Sequence, residues 1–176
     1  MDGQQLYPDA AQRIMAIVQE VFGPQGNIMQ AYFTGLPDSL NMPEAAFPCV
    51  IVDKAAGTYK VGPTGADDIT EHVYVHILVD VKTGFGTPPS DDTVKRQLQT
   101  YIEGRDPTTG MLLPTSLMYG LRRHITLQSQ SVPGIVTINN DVSISYDATQ
   151  RPDMPETREA VIDIAVTERQ TVLVRD

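Results

Sequence analysis

His72, Tyr74, His76 and Asp80 share one short stretch, HVYVHILVDV, and their types suit metal binding or acid–base work. Spacing decides what they can do together. Val73, Val75, Ile77, Val79 and Val81 alternate strictly with them, which predicts a strand with one buried face. The histidines then lie on the opposite face, four residues and ~13 Å apart at ~3.3 Å per residue. Zinc holds its ligands about 2 Å from one centre, so these two rings do not share an ion unaided. The chain offers one further histidine, His124, and one cysteine, Cys49. The expectation is a half-exposed sheet face with no metal and no cofactor.

Other catalytic patterns are missing. GxSxG, GxxxxGK[ST], HExxH and CxxC do not occur. GFGTPPSDD resembles a phosphate loop only in its glycines. Asp91 and Asp92 stand where a lysine would be needed, and they suit helix capping instead. Asp106-Pro107 reads as the start of a turn. Asp67, Asp68 and Glu71 are close in sequence but match no calcium-loop spacing. Cys49, inside PCVIV, is expected to be a buried, inert thiol. The chain is therefore expected not to be an enzyme. The rival from that class is a small hydrolase using Asp67, Asp68 and His72 or His76.

Positioning these residues requires a fold. A chain of 176 residues suits one domain, 1–176, with a substantial core. Residues 9–22 read as an amphipathic helix, with Asp9 and Gln12 as a capping box and Gly23-Pro24 as its stop. Residues 49–53 form a short strand, which 58–61 continue after an AAG turn. A second helix runs through TVKRQLQTYIEG with Ser90 as N-cap and Val94, Leu98 and Tyr101 or Ile102 as its core stripe. LMYGLRRHITL reads as a short helix running into a strand. Residues 135–147 alternate, with Val136, Ile138, Val142, Ile144 and Tyr146 on one face, and 160–174 make a last strand or pair of strands. Long loops are expected at 23–47, with one short strand near 28–33, and at 62–68, 82–92 and 148–156. The predicted fold class is α+β: a mostly antiparallel β-sheet with two or three helices packed on one face.

Formal charge is −9, from 13 Lys+Arg against 22 Asp+Glu. Such a balance disfavours a nucleic-acid binder and adhesion to anionic membranes. Arg122, Arg123 and His124 are adjacent and make the longest run of basic side chains, a candidate local basic patch. No apolar stretch approaches the ~20 residues of a membrane helix, and the N-terminus is unlike a signal peptide. A soluble protein made in the cytoplasm is expected. Met29, Met42, Met111, Met118 and Met154 fall in or near connections, where adaptable side chains suit interfaces or fill core gaps.

The order of these elements resembles a known family. FPCVIV (47–52), EHVYVHILVDV (71–81), YIEGRDPTTGMLLPTSLMYGLRR (101–123) and the final AVIDIAVTERQ follow the texture of small neck proteins of tailed bacteriophages, the tail terminators in particular. The resemblance implies a virion structural protein that forms a ring, usually hexameric, on the end of the tail tube. Its partners would be its own copies, the tube protein and the head connector, with DNA passing through unbound. A head-closure or neck adaptor, or the tube protein itself, is the alternative. In this family loops beside the sheet contact the tube, while strand edges and helices pack between subunits. The interface candidates are Gly65, Asp67, Asp68, Gly84, Phe85, Gly86, Arg122, Arg123, Arg151 and Asp153.

Overall fold

A computed structural model describes residues 9–23, 28–35, 46–61, 66–81, 91–125, 135–146 and 157–171. Helix α1 (Ala10–Phe22) opens on the expected capping box. The Asp9 carboxylate accepts from the Gln12 amide at 2.9 Å, and the Gln12 side chain accepts from the Asp9 amide at 3.2 Å. Strands β1 (Ala31–Thr34), β2 (Cys49–Lys60) and β3 (Ala66–Asp80) follow, then α2 (Asp91–Glu103), α3 (Leu117–Arg123), β4 (Ile135–Ser145) and β5 (Thr157–Thr171).

The strands build one sheet in the order β1-β2-β3-β5-β4. Among the described residues only β1 and β2 pair in parallel; the other three pairings are antiparallel. The fold is α+β, and the helices cover one face. That face supplies Val50, Val52, Val73, Val75, Ile77, Ala160, Ile162 and Ile164, packed against Ile14, Val18 and Phe22 of α1, Leu98 and Ile102 of α2, and Leu117 of α3. Each of these side chains larger than alanine contributes roughly 1.5–3 kcal/mol through loss of contact with water. The opposite face carries a smaller apolar cluster beside β1, with Cys49, Ile51 and Leu78 fully buried among Ala31, Phe33 and Phe47.

Helix α3 sits close on α1. A Cβ added at Gly120 would overlap Val21 Cγ2 and lie 3.1 Å from Ile17 Cγ2, so glycine is what permits the approach. Between α2 and α3, the Asp106 carboxylate accepts from the Thr108 and Thr109 amides at 2.9 and 2.7 Å, which makes RDPTTG the expected turn. Gly110 completes it at φ 70°.

Several boundaries depart from expectation. Ala55, Ala56 and Gly57 are not a turn. They lie within β2, where a bulge between Lys54 and Gly57 absorbs one extra residue. Ala66, Asp67 and Asp68 belong to β3, and Thr157, Arg158 and Glu159 belong to β5, because β3 and β5 pair with each other without a break, from Ala66 opposite Thr171 to Asp80 opposite Thr157. β5 is a single strand as described, to Thr171. Met118 lies in α3, Met29 is buried, and Met111 is exposed. Ser90, Met42 and Met154 fall outside the described residues.

Candidate functional site

The sheet face opposite the helices presents the chemistry-bearing residues. His72, Tyr74 and His76 project from β3 onto it, as the alternation requires. Two carboxylates of β5 meet them. His72 Nδ1 lies 2.8 Å from Asp163 Oδ1, and His76 Nδ1 lies 2.5 Å from Glu159 Oε1. The pairs are diagonal neighbours in the antiparallel register, since His72 stands opposite Ala165 and His76 opposite Val161. Their surroundings differ. The first pair is open, with side chains 47% and 32% exposed; the second is nearly closed off, at 13% and 9%. Tyr74 lies between, its ring centroid 6.3 Å from that of His76.

A histidine oriented by a carboxylate can act as a general base, yet it needs a reachable nucleophile or substrate. Cys49 is on the same face, two residues along β2 from Ile51, the partner of His76, but it is fully buried. Among the described residues no three His, Cys, Asp or Glu side chains are placed to hold a metal ion.

The acidic candidates diverge. Asp68 stands opposite Arg169 and receives two hydrogen bonds from its guanidinium, at 2.7 and 3.1 Å. These bonds hold the Asp68 carboxyl below its ordinary range. Asp67, its neighbour in the strand, faces the other way. Asp68 and His72 share a face but start ~13 Å apart along β3. The grouping of Asp67, Asp68 and His72 or His76 needed for hydrolysis is therefore not assembled.

The basic run folds back on α1. Arg123 Nη1 is 3.6 Å, and His124 Nε2 3.0 Å, from the Glu20 carboxylate. Arg122 and Arg123 occupy the last turn of α3, where cations complement the helix dipole. The run is thus partly neutralised by Glu20. Gly65, Gly84, Phe85, Gly86, Arg151 and Asp153 lie outside the described residues.

Sequence reasoning missed Glu159 and Asp163. A signal was present: they alternate with Ala160, Ile162 and Ile164 and sit four apart, as the two histidines do. It also missed an ion pair on the helix-covered face between exposed Lys54 and buried Glu71, Nζ to Oε1 at 2.6 Å. Burial there lowers the lysine's affinity for its proton, but the hydrogen bond and charge of Glu71 outweigh that and raise it overall.

The sheet borders are the other notable surfaces. β1 spans four residues and β2 twelve, so pairing with β1 ends at Val52. Beyond it Gly57, Thr58, Tyr59 and Lys60 are exposed, with Tyr59 at 66% and Val61 at 80%. On the far border, Asp141, Ser143 and Ser145 of β4 are exposed and alternate with half-buried Val142 and Ile144. A shallow groove lies along α2, lined by Arg96, Gln99, Thr100, Glu103 and Arg105. Its cations are engaged locally: Arg96 with Asp92 at 2.9 Å, and Arg105 with the Gly110 carbonyl at 2.9 Å.

No protein-family model matches the chain, and no curated protein matches it.

Proposed function

We propose that this chain is a structural subunit of a tailed-phage virion, a tail-terminator-like protein that closes into a ring, usually hexameric, on the end of the tail tube. The observation that carries the reading is the pair of dissimilar sheet borders that the described residues leave exposed, residues 57–60 of β2 and Asp141, Ser143 and Ser145 of β4. A closed ring requires heterologous contacts, in which one patch meets a different patch on the next copy. A two-layer domain with unlike edges at opposite ends of its sheet is suited to that geometry. The work is then steric. The ring covers the surface that would recruit another ring of tube protein and offers the head connector a new one. The excess of acids suits a lumen through which DNA passes without adhering. A head-closure or neck adaptor, or the tube protein, would share these features. The hydrolase grouping loses support, because Asp68 is engaged by Arg169 and starts ~13 Å along β3 from His72.

The test is mass and shape. Light scattering and negative-stain imaging of the purified protein, alone and with isolated tail tubes, should reveal rings. A hexamer would weigh roughly 116 kDa, six times the 19.3 kDa chain. A protein that stays monomeric at every concentration and ignores tube ends would overturn the reading.

A further inference from the structure

We infer that β4 of one copy pairs edge to edge with the distal half of β2 of the next, extending one antiparallel sheet across the subunit boundary. The inference rests on the ring reading and specifies the contact that closes it.

Three independent properties of the two borders agree. The first is direction. β2 and β5 run one way, β3 and β4 the other, so β2 of a following copy placed beside β4 continues the alternation. The second is the direction of the backbone groups. The Val52 carbonyl points outward, accepting from the Gly35 amide, and the Ile138 amide points outward, donating to the Ile125 carbonyl. Every second residue of a strand repeats this orientation. Pairing counts carry it past each irregularity: Lys54 and Gly57 face Val73 and Glu71, while Ile138 and Val142 face Val166 and Ile164. Gly57 and Tyr59, like Val142 and Ile144, therefore turn their hydrogen-bonding groups outward. Among the described residues no backbone partner lies along either stretch.

The third is the side chains. One register sets Tyr59 against Val142 and Gly57 against Ile144 on the helix-covered face, with Thr58 against Ser143 on the other. The same register places exposed Lys60 beside exposed Asp141. Apolar meets apolar, hydroxyl meets hydroxyl and a cation meets an anion, as stable cross-strand pairs require. Unpaired edges of this kind recruit strands, and a second copy of the chain carries the matching one.

Cysteine cross-linking tests the pairing in the full chain. The double variant Thr58→Cys/Ser143→Cys places two thiols at a non-hydrogen-bonded position, where Cα atoms are ~4.5 Å apart and a disulfide closes without strain. Mild oxidation should give a covalent ladder ending at the ring. Each single variant should stay uncross-linked, and a mixture of the two should stop at dimers. Tyr59→Cys/Val142→Cys should also give a ladder, which guards against misfolding of either design. Tyr59→Cys/Ser143→Cys, with thiols on opposite faces, should give none. A single variant that cross-links with itself, or a mismatched pair that works as well as the matched ones, would refute the register. Absence of a ladder in both matched variants refutes the pairing. Native mass then separates the two claims: a ring without a ladder leaves the ring reading standing, and a monomer removes both.

Discussion

Gly120→Ala tests how tightly the helical layer is packed. Alanine would ordinarily help, since it is favoured over glycine inside a helix by roughly 1 kcal/mol. Here the new methyl overlaps Val21 Cγ2 and comes within 3.1 Å of Ile17 Cγ2. Both neighbours are β-branched and stiff at χ1 in a helix, so they yield only if α1 and α3 move apart. Overpacking a core costs about 1–3 kcal/mol, and an overlap with two rigid neighbours belongs at the upper end. The net expectation is a loss of about 2 kcal/mol, or a fall in Tm of about 4–8 °C for a domain of this size. Urea unfolding followed by circular dichroism measures the first and a thermal melt the second. Val21→Ala should destabilise by itself, yet it should relieve most of the Gly120→Ala cost when the two are combined. If Gly120→Ala proves stabilising, or costs the same in both backgrounds, the close approach of the helices is not what glycine provides.

Lys54→Met should leave the Glu71 carboxylate buried without its cation and cost about 2 kcal/mol, below the usual range for buried pairs because Lys54 is about a third exposed. Adding Glu71→Leu should recover much of that in the same unfolding assay. At Asp106 the amides of Thr109 and Thr108, then the Thr109 hydroxyl, hold the carboxyl below its usual range. This contribution is present above the unfolded carboxylate range of about 4 and is lost as pH falls through the lower folded value. Asp106→Ala should therefore melt below the parent at neutral pH and converge with it in strong acid, whereas Asp106→Asn, which keeps an acceptor, should stay closer to the parent. The Cys49 thiol is fully buried, so an aromatic disulfide reagent should react with it only as fast as the sheet opens. Immediate labelling of the native protein would contradict the packing around it.

The period-two pattern of β3 and the helical stripes of α1 and α2 were legible because each is a local signal. Val94, Leu98 and Ile102 are buried as their spacing demands. Boundaries were harder to read. Ala55, Ala56 and Gly57 carry the composition of a turn, and a β-bulge uses the same residues; only pairing with β3 on both sides tells them apart. Asp67 and Asp68 read as loop because acids are poor strand formers, yet Arg169, 101 positions away, supplies the partner for Asp68. The face bearing His72 and His76 was legible and its chemistry was not, for the same reason. Glu159 and Asp163 are 83 and 91 positions from the histidines they meet, and only the register of β5 joins them.

That register has a temporal side. β5 is the last described strand in chain order, yet it occupies the interior of the sheet, between β3 and β4. A nascent polypeptide emerging from the ribosome cannot complete the sheet until β5 is out. Up to then β3 and β4 have no bridge between them, and the apolar side of each awaits a cover. Contacts of such long sequence separation form slowly, and removal of the closing strand would split the domain through its middle instead of trimming its margin.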